Sequence, residues 1–372
     1  MRFLHTGDLH LDSPFCRVGS MEAEDRRARQ RDLLKNIFSV AKDKSCRLML
    51  ISGDLFDGGF VSRESAELFC RLVKDFSYPV VVSAGNHDPY TSNSFWTKSG
   101  LPNNLFVFAS DKLSMFSFPE LSLDVLGYSF ASGVISESPI TAAEEVPASD
   151  VGVCRLLCAH GDFGVPISRY APLTESDIDR LGVSFAALGH IHKRDSFTTA
   201  GGTPVAYCGF AEGRSFDECG EGGVIIGEIE DGKVSFEWQR ISEIVYDVSE
   251  LDVSDISDRA ELENKIERFI ADKAYSDKTY LRLILCGAFD GGELYDMGAI
   301  EKKFSDRLSF LEIKDETIPV PSAEYLERDM TIRGELYRIL LPMLNSEDRE
   351  ERMRATRALS IGLSAIDGKL SR

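Results

Sequence analysis

Five short clusters of aspartate, asparagine, histidine and glycine constrain this chain more than any other feature of its sequence. Each cluster directly follows an apolar run: Asp8-Leu9-His10, Gly53-Asp54-Leu55-Phe56-Asp57, Gly85-Asn86-His87-Asp88, His160-Gly161-Asp162 and Gly189-His190-Ile191-His192. Open α/β sheets bind their ligands outside the carboxyl ends of their strands. If the five runs are strands of such sheets, the clusters lie where a single ligand site would form.

The spacing of the apolar residues indicates the α/β class. The first third alternates strand-like runs with amphipathic stretches, namely Arg2–Thr6, Asp25–Lys44, Leu48–Ser52, Ser62–Phe76 and Pro79–Ser83. Buried strands return at Arg155–Cys158 and Phe185–Leu188, and a glycine-rich meander follows from Ser196 to Trp238. We therefore expect a two-layer β core with flanking helices.

A change of pattern near Arg240 to Asp247 predicts a domain boundary. Residues 1–240 form the main domain, and the helix and strand patterns of residues 247–318 predict a small α+β domain. Beyond Pro319-Val320-Pro321, apolar residues recur at helical spacing, which predicts a helical segment over residues 322–372.

The donor groups of the five clusters are typical of a metal centre. They comprise carboxylates, one amide and several imidazoles, and they include no thiolate. Such mixtures suit manganese, iron or zinc, and their number exceeds what one ion needs. Taken singly, each cluster is also explained by a strand-end turn or a helix cap. The joint occurrence of all five favours a site for two metal ions.

In their order along the chain, these motifs resemble those of the calcineurin-like metallophosphoesterases. The opening Phe3–Leu11 and the stretch Leu188–Lys193 resemble the DNA repair exonuclease branch of that family, the SbcD, YhaO and Mre-type nucleases. The segment Gly209–Glu218 is similar to the YhaO-type subgroup in particular. The resemblance covers about residues 1–240 and implies a calcineurin-like two-layer β-sandwich, followed by a small capping domain and a helical C-terminal segment.

The resemblance also implies roles for individual residues. One metal ion would be held by Asp8, His10, Asp54 and His192, and the other by Asp54, Asn86, His160 and His190, with Asp54 bridging. His87 would contact the phosphate or protonate the leaving group, and Asp88 would fix the tautomer of His87. At Asp57, where Mre-type members commonly carry histidine, we expect a helix cap or a residue supporting the metal ligands.

The charge of the chain restricts how nucleic acid could bind. A formal net charge of −19 repels polyanions over most of the surface and excludes broad, nonspecific nucleic-acid binding. Local phosphate contacts remain open for seven basic residues, namely Arg26, Arg27, Arg29, Arg31, Lys193, Arg194 and Arg214. The alternative for the arginine run is an ordinary solvated helix face.

By resemblance, the leading hypothesis is a manganese-dependent DNA nuclease, an exonuclease of DNA repair. It would act with an SMC-like, ABC-type ATPase subunit that docks on the C-terminal helices. Alternatives are hydrolysis of cyclic nucleotides, nucleotides or another small phosphoester, and a noncatalytic scaffold. Iron, zinc and magnesium are the alternative metal ions. A homodimer also stays open. The expected location is cytoplasmic and not in a membrane, because no apolar run reaches about 18 residues and the eight cysteines include no Cys-x-x-Cys pair.

Overall fold

The computed structural model describes residues 1–15, 20–58, 61–148, 150–254, 256, 258–289, 296–319 and 323–366. Internal contacts divide the chain into two units. The first unit comprises Met1–Arg214 and Gly220–Glu243, and the second comprises Ser215–Cys219 and Ile244–Arg372. Parts of the predicted small domain (255, 257 and 290–295) and of the predicted helical segment (322 and 367–372) lie outside the described residues. The assignment of these two regions as separate domains stays a prediction.

The first unit is built from twelve described strands and three α-helices. The strands are β1 (Arg2–Thr6), β2 (Cys46–Ile51), β3 (Val80–Val82), β4 (Leu105–Val107), β5 (Ser114–Phe118), β6 (Leu123–Gly127), β7 (Cys154–His160), β8 (Phe185–Gly189), β9 (Asp195–Thr198), β10 (Pro204–Tyr207), β11 (Gly223–Glu230) and β12 (Lys233–Arg240). The helices are α1 (Ser20–Asp43), α2 (Arg63–Phe76) and α3 (Glu175–Leu181).

These strands form two six-stranded sheets. One sheet has the order β12-β11-β1-β2-β3-β4, and the other has the order β5-β6-β7-β8-β10-β9. In the first sheet β1 to β4 run parallel, and β11 lies antiparallel beside β1. In the second sheet β6, β7, β8 and β10 run parallel. Parallel neighbours bring the carboxyl ends of their strands to the same edge of each sheet.

Alternation along the strands separates an inner face from an outer face in each sheet. Between the sheets, Phe3 and Leu50 pack in one cluster with Leu156 and Phe185. On its outer face the first sheet packs against α1 and α2, and the second sheet packs against α3. The predicted two-layer α/β fold with flanking helices is therefore confirmed.

Helix α2 shows how local sequence sets an element next to the site. Ser62 caps its first turn by accepting a hydrogen bond from the backbone N–H of Ser65. Leu68, Phe69, Val73 and Phe76 fall on one face of the helix and are buried. The helix begins one residue after the predicted start and ends at the predicted residue.

The second unit contains a three-stranded parallel sheet with helices. Its strands are β13 (Val245–Asp252), β14 (Thr279–Cys286), β15 (Ala288–Phe289), β16 (Phe310–Asp315) and β17 (Ile318–Pro319), and its helices are α4 (Arg259–Asp272), α5 (Met297–Lys303), α6 (Ala323–Arg328), α7 (Ile332–Leu344) and α8 (Arg349–Ile366). The sheet order is β13-β14-β16, and Ile266 of α4 and Ile300 of α5 pack against Leu283 in its core. No helix in the described part of the chain is both long and apolar enough to cross a membrane.

The C-terminal helices form a small cluster of their own within the second unit. The first part of the predicted helical segment is divided into α6 and α7, because Thr331 caps a new helix by accepting from the backbone N–H of Arg333. Leu326 and Tyr337 then pack with Leu359 and Leu363 of α8.

Candidate dinuclear metal centre

The five clusters meet where the parallel strands of both sheets end. Those after β1, β2 and β3 belong to the first sheet, and those at the ends of β7 and β8 belong to the second. Two contacts join the clusters of the first sheet directly to those of the second sheet. The Nδ1 atom of His160 lies 2.8 Å from the backbone oxygen of Ser52, and the backbone N–H of His190 donates to Oδ1 of Asp8 at 3.0 Å. Residues up to 182 positions apart therefore share one site.

An unusual backbone conformation turns the candidate ligands inward. Asp8, His10, Asp54 and His190 have positive φ angles of 52°, 48°, 49° and 104°. Each such conformation costs a side-chain-bearing residue roughly 1–3 kcal/mol and persists only where the surrounding fold imposes it. Close packing adds a second constraint: a Cβ atom on Gly85 would lie 2.1 Å from Oδ1 of Asp54.

Asp8, His10 and His192 form the first group of donors. Their ligand atoms all lie within 4.8 Å of one another, and the Nε2 atoms of the two histidines face each other at 3.2 Å. Two imidazole nitrogens at this distance must share a proton or a cation. Adjacent ligands around an ion with metal–nitrogen bonds of about 2.1 Å lie at about this separation. The arrangement fits a metal ion between them.

Asp54, His160 and His190 form the other group. Nε2 of His160 lies 3.3 Å from Oδ2 of Asp54 and 3.0 Å from Oδ1 of Asn86. The same Oδ2 of Asp54 lies 3.7 Å from Nε2 of His10, which belongs to the first group. Asp54 therefore stands between the two groups, where one carboxylate can serve both ions.

The burial of these donors favours a metal-bound state of the site over a metal-free one. Asp8, His10, Asp54 and His160 are almost completely buried, and the ion-pair partners of the two carboxylates among the described residues are all histidines. Burial raises the pKa of Asp8. Burial lowers the pKa of His160, but the neighbouring Asp54 carboxylate outweighs it and raises that pKa to about 9. Buried carboxylates are costly without compensating charge, and the donor set fits two divalent ions.

His87 is held by Asp57 and not by Asp88. Its Nδ1 atom lies 2.9 Å from Oδ1 of Asp57, and this hydrogen bond raises the pKa of His87 above its ordinary value. Ser13 donates to the other oxygen of Asp57 at 2.8 Å. His87 is the most exposed of the predicted site histidines, with 46% of its side chain accessible. The helix-cap alternative for Asp57 is wrong, because Ser62 caps the next helix.

The predicted role of Asp88 in fixing the tautomer of His87 is therefore wrong. The Asp88 carboxylate turns inward and accepts backbone N–H groups of Gly85, Leu55 and Phe56 at 2.8, 3.0 and 3.2 Å. Burial, and then the nearby Asp54 charge, raise the pKa of Asp88 to about 8. Asp88 instead satisfies the donors of the turns that carry Asp54 and His87.

The arginine run on α1 is largely paired within the protein. Arg26 pairs with Glu22, Arg27 with Glu24, and Arg31 with Glu24 and Glu64, whereas Arg29 is exposed. Those partners offset the positive charge of the run. The arrangement resembles the solvated helix face that was the alternative interpretation.

The other three basic residues lie nearer the metal centre in sequence or in space. Lys193 and Arg194 directly follow His192 and are exposed, and the Arg194 guanidinium lies 4.3 Å from the ring centroid of Trp238. Arg214 donates to the hydroxyl of Ser13 at 3.1 Å and lies 3.8 Å from Oδ2 of Asp57. Arg214 thus joins the network around His87.

Three residues near the site were not given roles from the sequence. Asp162 places Oδ1 3.4 Å from Nε2 of His190, and the Tyr170 ring lies 4.6 Å from the His190 ring. Both residues line a cavity of about 580 Å³. Ser13 is the third. The His160-Gly161-Asp162 motif could have indicated Asp162, whereas no local pattern marks Ser13 or Tyr170.

Comparisons with known proteins agree with this geometry. The family model for calcineurin-like phosphoesterases matches residues 1–194. The metallophosphoesterase YhaO of Bacillus subtilis (strain 168) is 26% identical over 300 residues, which cover 77% of this chain and 72% of YhaO. The SbcD component of the nuclease SbcCD of Escherichia coli (strain K12) is 25% identical over 262 residues, which cover 59% of this chain and 63% of SbcD.

Among solved structures, a dimetal phosphatase from Danio rerio covers 64% of this chain and 96% of its own, with 11% identity and a TM-score of 0.41. The family model matches more than half of the chain, in the region that carries all five clusters. The chain therefore belongs to the calcineurin-like phosphoesterase family, as its motifs predicted, and is a hydrolase with His/Asp clusters for a dinuclear metal site.

Proposed function

We propose that the chain is a DNA nuclease that hydrolyses phosphodiester bonds, with two manganese ions at this centre, and that it serves in DNA repair. The observation that carries the proposal is the half-exposed His87, which lies beside an otherwise mostly buried set of donors. The named nuclease relative supports DNA as the substrate, since the SbcD component of SbcCD matches 59% of this chain.

In this proposal the two groups of donors hold one ion each. Asp8, His10, Asp54 and His192 hold the first, and Asp54, Asn86, His160 and His190 hold the second. When bound, the ions supply Lewis-acid charge for the phosphate oxygens and lower the pKa of an attacking water. Manganese suits the mixture of imidazole, carboxylate and amide donors, and iron, zinc and magnesium are the alternatives.

His87 acts on the substrate in this proposal. Asp57 holds Nδ1 and favours the imidazolium form, so that Nε2–H can donate to a phosphate oxygen or to the leaving oxygen. As the P–O bond breaks, the proton moves from Nε2 to the departing oxygen. The half-exposed position of His87 is compatible with a substrate too large to enter the protein.

Hydrolysis of a small phosphoester, such as a cyclic nucleotide or a nucleotide, is the second candidate. The net charge of −19 and the pairing of three of the four α1 arginines favour it, because few basic groups remain near the site to hold a long polyanion. A partner that delivers DNA would remove this objection.

The proposal therefore includes an SMC-like ATPase subunit as partner. Ile332, Ile339 and Met343 lie on one face of α7, at helical spacing, and are exposed, with Met330 just before the helix. We name these four residues the α7 stripe. An apolar stripe of this kind suits a helix of another protein. A cytoplasmic location is part of the same proposal and is supported by Cys46, Cys154 and Cys158, which are buried free thiols.

The test is manganese-supported degradation of end-labelled single- and double-stranded DNA. A chromogenic phosphodiester and cyclic nucleotides are assayed beside it, and the His87→Gln variant is the control. DNA cleavage that is lost in the variant is the expected result. Hydrolysis of small esters without DNA cleavage, also after the ATPase subunit is added, would refute the nuclease and favour the second candidate.

A further inference from the structure

Within the first unit, Arg214 begins a chain of hydrogen bonds that ends on His87. Arg214 donates to Oγ of Ser13 at 3.1 Å, and Ser13 donates to Oδ2 of Asp57 at 2.8 Å. Asp57 in turn accepts from Nδ1 of His87 at 2.9 Å. Ser13 has one hydroxyl proton and a second acceptor nearby, the backbone oxygen of His10 at 2.8 Å. The bond from Arg214 is therefore one of the few contacts that orient that hydroxyl.

We propose that Arg214 is a positioning residue for His87, acting through Ser13 and Asp57. This rests on the proposed function only in that His87 acts on the substrate phosphate.

Steady-state kinetics with a chromogenic phosphodiester separate positioning from direct phosphate binding. In Arg214→Ala we expect kcat to fall roughly 10- to 100-fold, while KM stays within about twofold and elemental analysis finds the parent metal content. Arg214→Lys, or added guanidinium ion with Arg214→Ala, restores part of kcat. A raised KM with unchanged kcat, or full activity of the alanine variant, would overturn the proposal.

A second readout does not depend on activity. The chain has six histidines, so the ring ¹⁵N chemical shifts of His87 can be assigned in the metal-free protein by comparison with His87→Gln. We expect Arg214→Ala and Asp57→Asn both to change the ring ¹⁵N shifts of His87, because each removes a member of the hydrogen-bonded chain that ends on its Nδ1 atom. Unchanged shifts in Arg214→Ala would refute the relay. Altered shifts, in a protein that hydrolyses no phosphoester, would refute the proposed function and leave the relay standing.

Discussion

The Nδ1 atom of His87 and the Oδ1 atom of Asp57 lie 2.9 Å apart, and this pair connects a half-exposed imidazole to the interior of the metal centre. Replacing Asp57 by Asn keeps the shape of the side chain but removes the charge that favours the imidazolium form. We expect kcat for a chromogenic phosphodiester to fall roughly 10- to 100-fold, with two metal ions retained. A variant with parent kcat would show that His87 needs no such partner.

Close packing against Asp54 predicts that a single methyl group at Gly85 disrupts metal binding. The added Cβ of Gly85→Ala would lie 2.1 Å from Oδ1 of Asp54, so the carboxylate must move. We expect elemental analysis to find fewer than two metal ions per chain, as in Asp54→Ala, which removes the bridging carboxylate. Gly133→Ala is the matched control, because its added Cβ would lie 3.8 Å from the backbone oxygen of Asn86, an ordinary contact. Full metal content in Gly85→Ala would contradict the bridging role.

His5 predicts a specific loss of stability in acid. Burial lowers its pKa from the ordinary value of 6.5 to about 3. Between these values the unfolded chain binds a proton that the folded chain does not, so stability is present above pH 6.5 and is lost as the pH falls towards 3. The expected slope is about 1.4 kcal/mol per pH unit.

Urea unfolding with chelator across this pH range measures the slope. His5→Gln retains a polar atom near the hydroxyl of Ser52, which lies 2.9 Å from Nε2 of His5. The contributions of the other histidines are common to both proteins and cancel in the difference. Parallel stability curves for the parent and the variant would contradict the prediction.

The α7 stripe predicts where the ATPase subunit docks. Ile339 is 67% exposed, and Ile339→Glu places a charge in the stripe without opening a buried cavity. We expect co-purification with the ATPase subunit to be lost, while hydrolysis of a small ester and the melting temperature stay near the parent values. Lys302→Glu, on α5 and outside the stripe, is the control. Retained co-purification of Ile339→Glu would place the partner elsewhere.

Much of the site could be predicted because its signals are local. Asp8, Asp54 and His190 each follow a buried run by a few residues, and the carboxyl end of a strand is a property of the sequence around it. The assignment of Asp57, rather than Asp88, as the hydrogen-bond partner of His87 could not be predicted in this way. It depends on which carboxylate the backbone N–H groups of Gly85, Leu55 and Phe56 draw inward, and that is a tertiary property.

Contacts between residues far apart in the sequence could likewise not be predicted from local patterns. The antiparallel pairing of β11 with β1 joins residues more than 200 positions apart, and no periodicity encodes such a partner. The excursion of Ser215–Cys219 into the second unit lies within a segment that looks like an ordinary glycine-rich meander. Packing in three dimensions decides both features.

Because the candidate ligands are spread from Asp8 to His192, they emerge from the ribosome at different times during synthesis. At about 5–20 residues per second, the ribosome releases His192 roughly 10 to 40 s after Asp8. Strand β11 pairs with β1 on the side opposite β2. It emerges later still, because it begins at Gly223. A nascent chain therefore carries half of a metal centre before the other half exists, and the full set of ligands can bind metal only after His192 has emerged.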